Sequence, residues 1–335
     1  MTLVIPTSAE LREIQQVLIP RLTADRLIFK YMPMESVDSH ILEWEQKDNF
    51  IGLQQLRGLD GAPAHVRRIG ASRYALEPGV YGDFVKATEA ELTMRRKLAT
   101  FGTPIDLSDL VLEFQQQLLV RRLDRIEYIG WQLLATGTFS VSSPTGIVHT
   151  DRFPLQTYTA AVPWATSATA TPLADLRGVE LLSRGMSTSF GSDAALVMNR
   201  ITFNSLVSNM NQNDLAGRRV TALLSPLNLE EINKILLGEN LPQIEIYDQG
   251  YLQDGTGTFA PFIPNNTAIV IGRRRTGAVA EYLFTRNAQN PDFAPGPYSK
   301  VVVDEDETPI RVEVHDGHNG GPAIYFPGSI VVITC

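Results

Sequence analysis

A single α-helix of about eight turns is predicted for residues 107–137, LSDLVLEFQQQLLVRRLDRIEYIGWQLLATG. Its apolar side chains recur at the spacing of one helix face, namely Leu107, Leu110, Val111, Phe114, Leu118, Ile129 and Leu133. Asp106 or Thr103 can cap the start, and Gly137 can end the helix in the left-handed conformation. At about 1.5 Å per residue, residues 108–135 would span about 42 Å. A compact domain does not need so long a helix, and any fold assigned to the chain has to account for it.

Short strands and tight turns dominate the sequence after this helix. The predicted strands are TFSVSS, GIVHTD, LQTYTAAVPWA, DAALVMN, QIEIYDQGYL, NTAIVIG, AVAEYLFT, IRVEVHD and SIVVITC. Two further helices are predicted, RITFNSLVSNMN and LEEINKILLG, and Gly238 is placed to end the second. Residues 165–192 are rich in Ser, Thr, Ala and Gly, which predicts a loop-heavy crossing. The chain is therefore predicted to be an α+β protein.

The sequence of the N-terminal region predicts one short helix in an otherwise irregular arm. Thr7 and Glu10 have the spacing of a capping box, in which each side chain accepts a backbone N–H of the other residue. Pro20 is expected to end this helix.

Residues 35–96 predict a long, irregular β-hairpin or ribbon, because they mix β-forming residues with Gly and Pro and show no sustained apolar stripe. A lone two-stranded ribbon is at best marginally stable in water. We therefore expect support from another protein chain. The apolar side chains that need cover are Ile51, Leu53, Tyr74, Leu76 and Tyr81.

The charge balance argues against tight nucleic-acid binding. Acidic residues outnumber basic ones, 37 against 29, and the formal net charge is −8. Tight binding to nucleic acid uses many Lys and Arg contacts with phosphates. The basic clusters at 95–97, 121–125 and 273–275 are interpreted as solvated or salt-bridged surface.

The sequence also favours a cytoplasmic setting. No apolar run approaches the roughly 18 residues that cross a bilayer, so we expect no membrane contact. The first ten residues lack the pattern of a signal peptide. Cys335 is the single cysteine, so an intrachain disulfide and a cysteine-built metal site are excluded. The protein is expected to fold in a reducing cytoplasm.

No catalytic, cofactor-binding or metal-binding residue is predicted. The sequence has neither a G-x-S-x-G elbow nor an H-E-x-x-H motif. The run DGTGTFA at 254–260 is followed by PFIPNN instead of a helix, so we interpret it as a hairpin turn. His315, Asp316 and His318 could bind a metal or transfer protons, but a Gly-rich surface turn is the favoured interpretation of HDGHNGG. The acidic run at 304–307 is interpreted as a solvated loop.

Two arginines, Arg122 and Arg125, project onto the apolar face of the long helix. They could extend to solvent along their aliphatic stems or meet carboxylates, including those of a neighbouring subunit.

The order of these elements resembles that of the major capsid (head) proteins of tailed bacteriophages, in particular the lambda-like major capsid protein family. The resemblance covers nearly the whole chain. Its strongest stretches are ALEPGVYGDFVKATEAELTMRR, ATGTFSV, DRFPLQTYTAAVPWATSATATPLADLR with Trp164 and the Pro172–Asp175 segment, DAALVMNRITFNSL, and FAPFIPNNTAIVIG.

This resemblance implies the Hong Kong 97-type capsid fold. Residues 1–34 would be an N-terminal arm, and residues 35–96 an extended loop that lies across a neighbouring subunit. Residues 97–192 and 291–335 would form the peripheral domain, with residues 107–137 as its spine helix. Residues 193–290 would be the axial domain, which meets its copies around five- and six-fold axes. The long helix would then be a strut along a thin, wide wedge.

The implied function is structural. Copies of the chain would assemble into the icosahedral head shell that encloses the double-stranded DNA genome of the phage. The protein would not be an enzyme, would be located in the virion, and would assemble in the cytoplasm of the bacterial host. Its implied partners are further copies of itself, a separate scaffolding protein, a portal and a decoration protein, with the packaged DNA contacted weakly. Lys47 and Lys86 would permit an isopeptide cross-link, but no sequence feature favours one.

Two alternatives remain open from the sequence. An encapsulin-like nanocompartment shares the implied fold and encloses protein cargo. A hydrolase would use the His315–His318 turn, and its activity would be lost on His318→Ala.

Overall fold

The computed structural model describes residues 3–4, 6–47, 53–54, 56–57, 59–63, 65, 71–94, 105–143, 146–166, 169–186, 188–209, 228–253, 255–274, 278–304 and 311–335. The chain divides into two compact units, each built from three separate stretches. The first unit contains Met1–Leu42, Ala75–Gly130 and Glu281–Ala323. The second contains Glu43–Tyr74, Trp131–Ala280 and Ile324–Cys335.

The helices of the described residues are α1 (Ser8–Thr23), α2 (Ile28–Tyr31), α3 (Glu89–Met94), α4 (Ser108–Thr136), α5 (Pro172–Leu181), α6 (Arg200–Asn209) and α7 (Leu229–Gly238). None of them combines the length and the apolar character that a membrane-crossing helix requires. The helices α4, α6 and α7 confirm the three helices predicted from residue 107 onward.

The strands of the described residues are short, apart from one. They are β1 (Leu3–Val4), β2 (Met34–Ser36), β3 (Leu42–Lys47), β4 (Ala71–Leu76), β5 (Gly79–Lys86), β6 (Ile105–Asp106), β7 (Thr138–Ser143), β8 (Gly146–Arg152), β9 (Gln156–Thr159), β10 (Thr188–Ser189), β11 (Ala195–Met198), β12 (Gln243–Ile246), β13 (Gly250–Leu252), β14 (Phe259–Pro261), β15 (Thr267–Ile271), β16 (Arg273–Arg274), β17 (Ala280–Phe284), β18 (Tyr298–Asp304), β19 (Arg311–Ile324) and β20 (Ile330–Thr334).

The first unit is built on a sheet with the strand order β18–β19–β17–β2, in which β5 also pairs with β19. The long strand β19 is antiparallel to both β18 and β5, so that His315 lies opposite Lys300 on one side and Phe84 on the other. Successive side chains of a strand point to opposite faces of a sheet. One face therefore carries Val312 and Val314, and the other carries His315.

Helices α1 and α4 supply the core on the first of these faces. Their buried side chains pack with those of β19, and the cluster contains Leu11, Ala87, Leu107, Leu110, Val111, Leu118, Val312 and Val314. The opposite face includes Phe84, whose side chain is 56% exposed. On that face, Phe84 is therefore left largely uncovered by the described part of the chain.

The second unit has a five-stranded sheet with the order β12–β11–β15–β20–β9. The inner pairs β11–β15 and β15–β20 are antiparallel, and the outer strands β12 and β9 are parallel to their neighbours. Side chains of α5, α6 and α7 complete the core, including Leu176, Phe203, Leu206, Ile232 and Leu236. The three inner strands, β11, β15 and β20, are nearly continuous apolar runs, as expected for strands inside a packed layer, whereas the outer strands β12 and β9 carry polar residues.

Helix α4 has 29 residues, a length of about 43 Å. The predicted apolar face is confirmed, since its members are buried except for Phe114, which is half-buried. Gly137 follows the helix with a φ of 67° and donates its N–H to the Leu133 carbonyl at 2.8 Å, as predicted. The proposed cap was wrong for Asp106, because that residue lies in β6, and Leu107 separates it from the helix. Thr103 lies outside the described residues.

Helix α1 confirms the capping box but not its predicted end. The Thr7 N–H donates to the Glu10 carboxylate at 2.7 Å, and the Glu10 N–H donates to the Thr7 hydroxyl at 3.3 Å. The helix continues past Pro20 to Thr23. Pro20 has no N–H, so the helix loses one backbone hydrogen bond there but is not ended by it.

Two sequence predictions need correction. Part of the predicted ribbon, β5, is an integral strand of the first unit's sheet, because Gly79–Lys86 pairs along β19. The loop-heavy stretch 165–192 contains α5, with Pro172 in its first turn. The predicted end of α7 is confirmed, since Gly238 is its last residue, and Asn240 takes the left-handed conformation after it, with a φ of 58°. The hairpin turn predicted at 254–260 is also confirmed, by the antiparallel pair β13–β14.

Candidate assembly surface

The paired strands β3 and β4 are anchored in the second unit by aromatic side chains. The rings of Trp44 and Tyr74 stack with their centroids 5.8 Å apart, and the Phe153 ring lies 6.0 Å and 6.5 Å from them. The Trp44 indole N–H donates to the Ile324 carbonyl at 2.8 Å. Such aromatic contacts stabilise the fold beyond the effect of burying the apolar surface of the rings. The described end of the predicted ribbon is therefore fixed by its own chain.

Residues 53–59 are different, and we call them the leucine segment. Leu53, Leu56 and Leu59 are 98%, 101% and 100% exposed. Single exposed apolar residues are ordinary, but a group of them marks an interaction surface. Of the five residues predicted to need cover, Leu53 is exposed, Tyr74 and Tyr81 are half-buried, and Leu76 is buried within the chain. Ile51 lies outside the described residues.

A second exposed apolar pair lies on the hairpin β13–β14. Leu252 and Phe259 are directly opposite each other across the two strands. Their side chains are 66% and 56% exposed. Cross-strand neighbours of this kind form one continuous apolar patch.

Arg122 forms a buried ion pair within the first unit. Its Nη1 lies 2.8 Å and 2.9 Å from the two carboxylate oxygens of Asp316, and Nη2 donates to the Gln15 Oε1 at 3.2 Å. The Gln15 Nε2 donates to Asp316 at 2.8 Å. Burial raises the pKa of Asp316, while Arg122 and Gln15 oppose that shift by stabilising the carboxylate. Of the two alternatives expected for Arg122, a carboxylate partner is confirmed, and that carboxylate belongs to the same chain instead of a neighbouring subunit.

His318 is also buried in the first unit. Its Nε2 lies 2.9 Å from the Tyr282 hydroxyl, and its ring stacks on Tyr81 with centroids 5.1 Å apart. Burial lowers the pKa of His318 to about 3, and the charges of Arg122 and Arg125 act in the same direction. The imidazole is therefore neutral at pH 7 and is packed as a core side chain.

His315 and His318 do not form one site. They do not lie on a surface turn as predicted but inside strand β19, because the sheet pairs this Gly-rich run on both sides. His315 stacks on Phe84 at 5.2 Å and contacts the Glu313 carboxylate at 3.0 Å, on the face opposite to His318. No group of three metal-ligating side chains occurs among the described residues. The geometry gives no support to the hydrolase alternative.

Several predicted clusters fall wholly or partly outside the described residues. Residues 95–97, Arg275 and residues 305–307 lie outside the described part of the chain. Within 121–125, Arg121 pairs with Asp83 at 3.1 Å, and Arg125 lies over the rings of Tyr81 and Tyr128. Arg273 lies 3.5 Å from Asp193. The interpretation of these described arginines as salt-bridged or exposed surface is confirmed, with buried Arg122 as the exception.

Sequence reasoning missed Gln15, Trp44 and Tyr282. Gln15 lies in an amphipathic helix and is 301 residues from its partner Asp316, so no local pattern identifies the contact. The indole of Trp44 was a usable signal, because a buried Trp N–H normally needs a carbonyl partner.

Comparisons with known proteins give structural matches only. No family model and no curated protein matches the sequence. A protein of E. coli CFT073 described as a prophage capsid protein has a similar structure, with 12% identity, a TM-score of 0.53, and coverage of 96% of this chain and 98% of that one. A phage-related protein of Bordetella bronchiseptica RB50 matches with 9% identity, a TM-score of 0.54, and 95% of each chain covered.

The SrpI encapsulin of Synechococcus elongatus PCC 7942 also matches, with 10% identity over 94% of this chain and 88% of that one. Its TM-score of 0.48 is too low to carry an argument. The two stronger matches extend over nearly the whole chain and agree with the fold that the order of sequence elements implied. The chain therefore has the Hong Kong 97-type capsid fold.

Proposed function

We propose that this chain is the major capsid protein of a tailed bacteriophage, and that its copies assemble into the icosahedral head shell around the double-stranded DNA genome. The observation that carries the proposal is the full-length similarity to the E. coli CFT073 protein described as a prophage capsid protein. The particular stretches of sequence noted above favour the lambda-like capsid proteins within this fold. The proposed role is structural and calls for no catalytic residue, metal or cofactor.

The proposal assigns a role to each part of the chain. Residues 1–34 are the N-terminal arm, and residues 35–96 contain the loop that reaches a neighbouring subunit. Residues 97–192 and 291–335 form the peripheral domain around the spine helix α4. Residues 193–290 form the axial domain, where the exposed pair Leu252 and Phe259 would contact copies of itself.

The leucine segment supports this assignment. Covering one leucine side chain is worth about 1.5–3 kcal/mol, and Leu53, Leu56 and Leu59 have no cover in the described structure. A shell repeats each contact in every subunit, so even a small contact area per subunit stabilises the whole particle. We propose that the neighbouring subunit covers this segment.

The remaining partners follow from the same proposal. A separate scaffolding protein, a portal and a decoration protein would act with the shell, and the acidic chain, with its net charge of −8, would hold the packaged DNA only weakly. The protein would assemble in the bacterial cytoplasm and be located in the virion.

Electron microscopy of particles purified from producing bacteria tests the proposal. Closed icosahedral shells from which double-stranded DNA is extracted, or empty shells that package DNA when the other head proteins are present, are the expected result. Shells that enclose a protein cargo instead would support the encapsulin alternative. A protein that forms no closed shell in either setting would contradict both.

A further inference from the structure

Arg125 is an exposed residue of helix α4 whose guanidinium is held by aromatic rings. Its Cζ atom lies 5.9 Å from the ring centroid of Tyr81 on β5 and 5.8 Å from that of Tyr128 on α4. A guanidinium within about 6 Å of a ring centroid is attracted by the ring. Tyr81 is itself fixed, because it stacks on the buried His318. The two rings therefore favour this position of the Arg125 guanidinium in the single chain.

No carboxylate within the described residues pairs with Arg125. The neighbouring arginines of the same helix each have one. Arg121 contacts Asp83 at 3.1 Å, and Arg122 contacts Asp316 at 2.8 Å. These acids lie opposite each other on β5 and β19. The local carboxylates are thus used by the other two arginines, and the planar donors of Arg125 remain available.

The guanidinium group presents its N–H donors as a flat fork, which matches the two oxygens of a carboxylate. We propose that Arg125 binds a surface carboxylate of a second copy of this chain. This inference rests on the proposed function, because it names the chemistry of one contact between assembling copies. It corrects the earlier expectation for the two helix arginines by assigning that contact to Arg125 alone.

The charge of the chain favours a second copy as the source of the carboxylate. Acidic residues exceed basic ones by 37 to 29, so carboxylates are the more numerous charged groups that a second copy offers to Arg125. Copies that each carry a net charge of −8 also repel one another at distances within the screening length. At a contact between copies, a cation such as Arg125, which has no carboxylate partner among the described residues, would offset that repulsion locally.

The experiment compares Arg125→Gln with the matched variant Arg121→Gln, which removes the same charge four residues earlier on the same helix. Assembly is followed by light scattering as a function of protein concentration, and folding by thermal melting of the unassembled protein. We expect the half-assembly concentration of Arg125→Gln to rise about tenfold or more, since losing one charge-paired contact has an effect of this size. Arg121→Gln should assemble within about twofold of the natural chain, because its partner belongs to the same chain.

Arg125→Lys serves as the second variant, because it keeps the charge and the aliphatic stem but not the fork. Assembly intermediate between those of the natural chain and Arg125→Gln is expected. Equal assembly of Arg125→Gln and Arg121→Gln, or full assembly of Arg125→Lys, would overturn the proposed pairing while leaving the shell proposal intact. Loss of double-stranded DNA binding in Arg125→Gln, measured by fluorescence anisotropy with assembly unchanged, would reassign the site to phosphate. A natural chain that never assembles would defeat the proposed function itself.

Discussion

Asp316 and Asp83 are neighbours on adjacent strands and each contacts an arginine of α4, yet their surroundings differ. The Arg122–Asp316 pair is buried, with side chains 4% and 2% exposed, and the Arg121–Asp83 pair is half exposed, at 47% and 54%. Removing one partner of a buried ion pair leaves an uncompensated charge in a medium that solvates it poorly. The same change at an exposed pair has little effect, because water replaces the partner.

Asp316→Ala is therefore expected to lower the free energy of unfolding by about 3–5 kcal/mol. Asp83→Ala should change it by less than about 1 kcal/mol. Urea denaturation of the unassembled protein measures both values. Equal effects of the two substitutions would show that the Arg122–Asp316 pair is not the buried anchor that the structure indicates.

His318 should make stability depend on pH. Its pKa is about 3 in the folded chain, where burial disfavours the imidazolium, and about 6.5 in an unfolded chain. Between these values the unfolded chain binds the additional proton, so the free energy of unfolding falls as the pH falls. The contribution of His318 to the free energy of unfolding is complete above pH 6.5, and it decreases by up to about 1.4 kcal/mol per pH unit below that pH.

His318→Gln should make the free energy of unfolding depend less steeply on pH between pH 6.5 and 5. Urea denaturation at each pH measures this dependence. Arg122 and Arg125 act on His318 through their charges, Tyr81 and Tyr282 contact its ring, and none of the four changes charge in that range. Asp316, whose pKa burial raises, is present in both the natural chain and the variant. His315→Gln is the control, because His315 lies on the opposite, partly exposed face of β19. An unchanged slope in His318→Gln would rule out this histidine as the source.

At the residue scale, sequence reasoning predicted local chemistry well and distant pairing poorly. The Thr7–Glu10 capping box and the left-handed Gly137 were predictable because each depends on residues within one helical turn. The Arg122–Asp316–Gln15 network was not, since its members come from three distant segments that only the sheet and helices bring together.

At the scale of elements, the close approach of helices α2 and α4 depends on a missing side chain. A Cβ atom added at Gly130 would lie 2.6 Å from both the Ile28 Cγ1 and the Met32 Cε atoms. Real Cβ contacts are not that short, so the side chains of Ile28 and Met32, or the backbone that carries them, would have to shift. Gly238, in α7, has no such neighbour, because nothing lies within 4 Å of a Cβ built there.

Gly130→Ala is accordingly expected to destabilise the protein by about 1–3 kcal/mol, the usual effect of overpacking a core. Gly238→Ala should instead stabilise it by up to about 1 kcal/mol, since alanine favours the helical backbone. Both are measured by chemical denaturation. A stabilising effect of Gly130→Ala would mean that α2 and α4 are packed less closely than described.

Elements with a long, regular apolar pattern were predictable, and those with mixed signals were not. Helix α4 was identified because its apolar spacing persists over many turns. Helix α5 was missed because Pro172 and the surrounding Ser, Thr and Ala residues are typical of loops. Strand β5 was taken for part of a free ribbon because its Gly residues hide the pairing with β19, itself a Gly-rich strand.

At the scale of the whole molecule, substitutions in the leucine segment are expected to affect assembly but not folding. The triple variant Leu53→Ser, Leu56→Ser and Leu59→Ser should melt within about 2 °C of the natural chain as an unassembled protein, because fully exposed side chains contribute little to folding. Its assembly should be lost or strongly weakened, because a neighbouring subunit that covers serine side chains buries much less apolar surface than one that covers leucines. Val17→Ser, at a side chain 75% exposed on α1, is the control and should assemble normally.

The triple variant could instead lower the melting temperature as much as a core substitution such as Leu118→Ala does. That result would show that these leucines contribute to the folding of their own chain. Leu118 is 2% exposed and belongs to the core of the first unit, so it gives the scale of a true core defect.

The mass of the purified protein in solution, measured by light scattering after size-exclusion chromatography, tests the central claim most directly. The account predicts pentamers, hexamers or shells of megadalton mass, because the described part of a single chain leaves Leu53, Leu56 and Leu59 exposed and gives Arg125 no carboxylate partner. A single compact species near 37.0 kDa at every protein and salt concentration would contradict it.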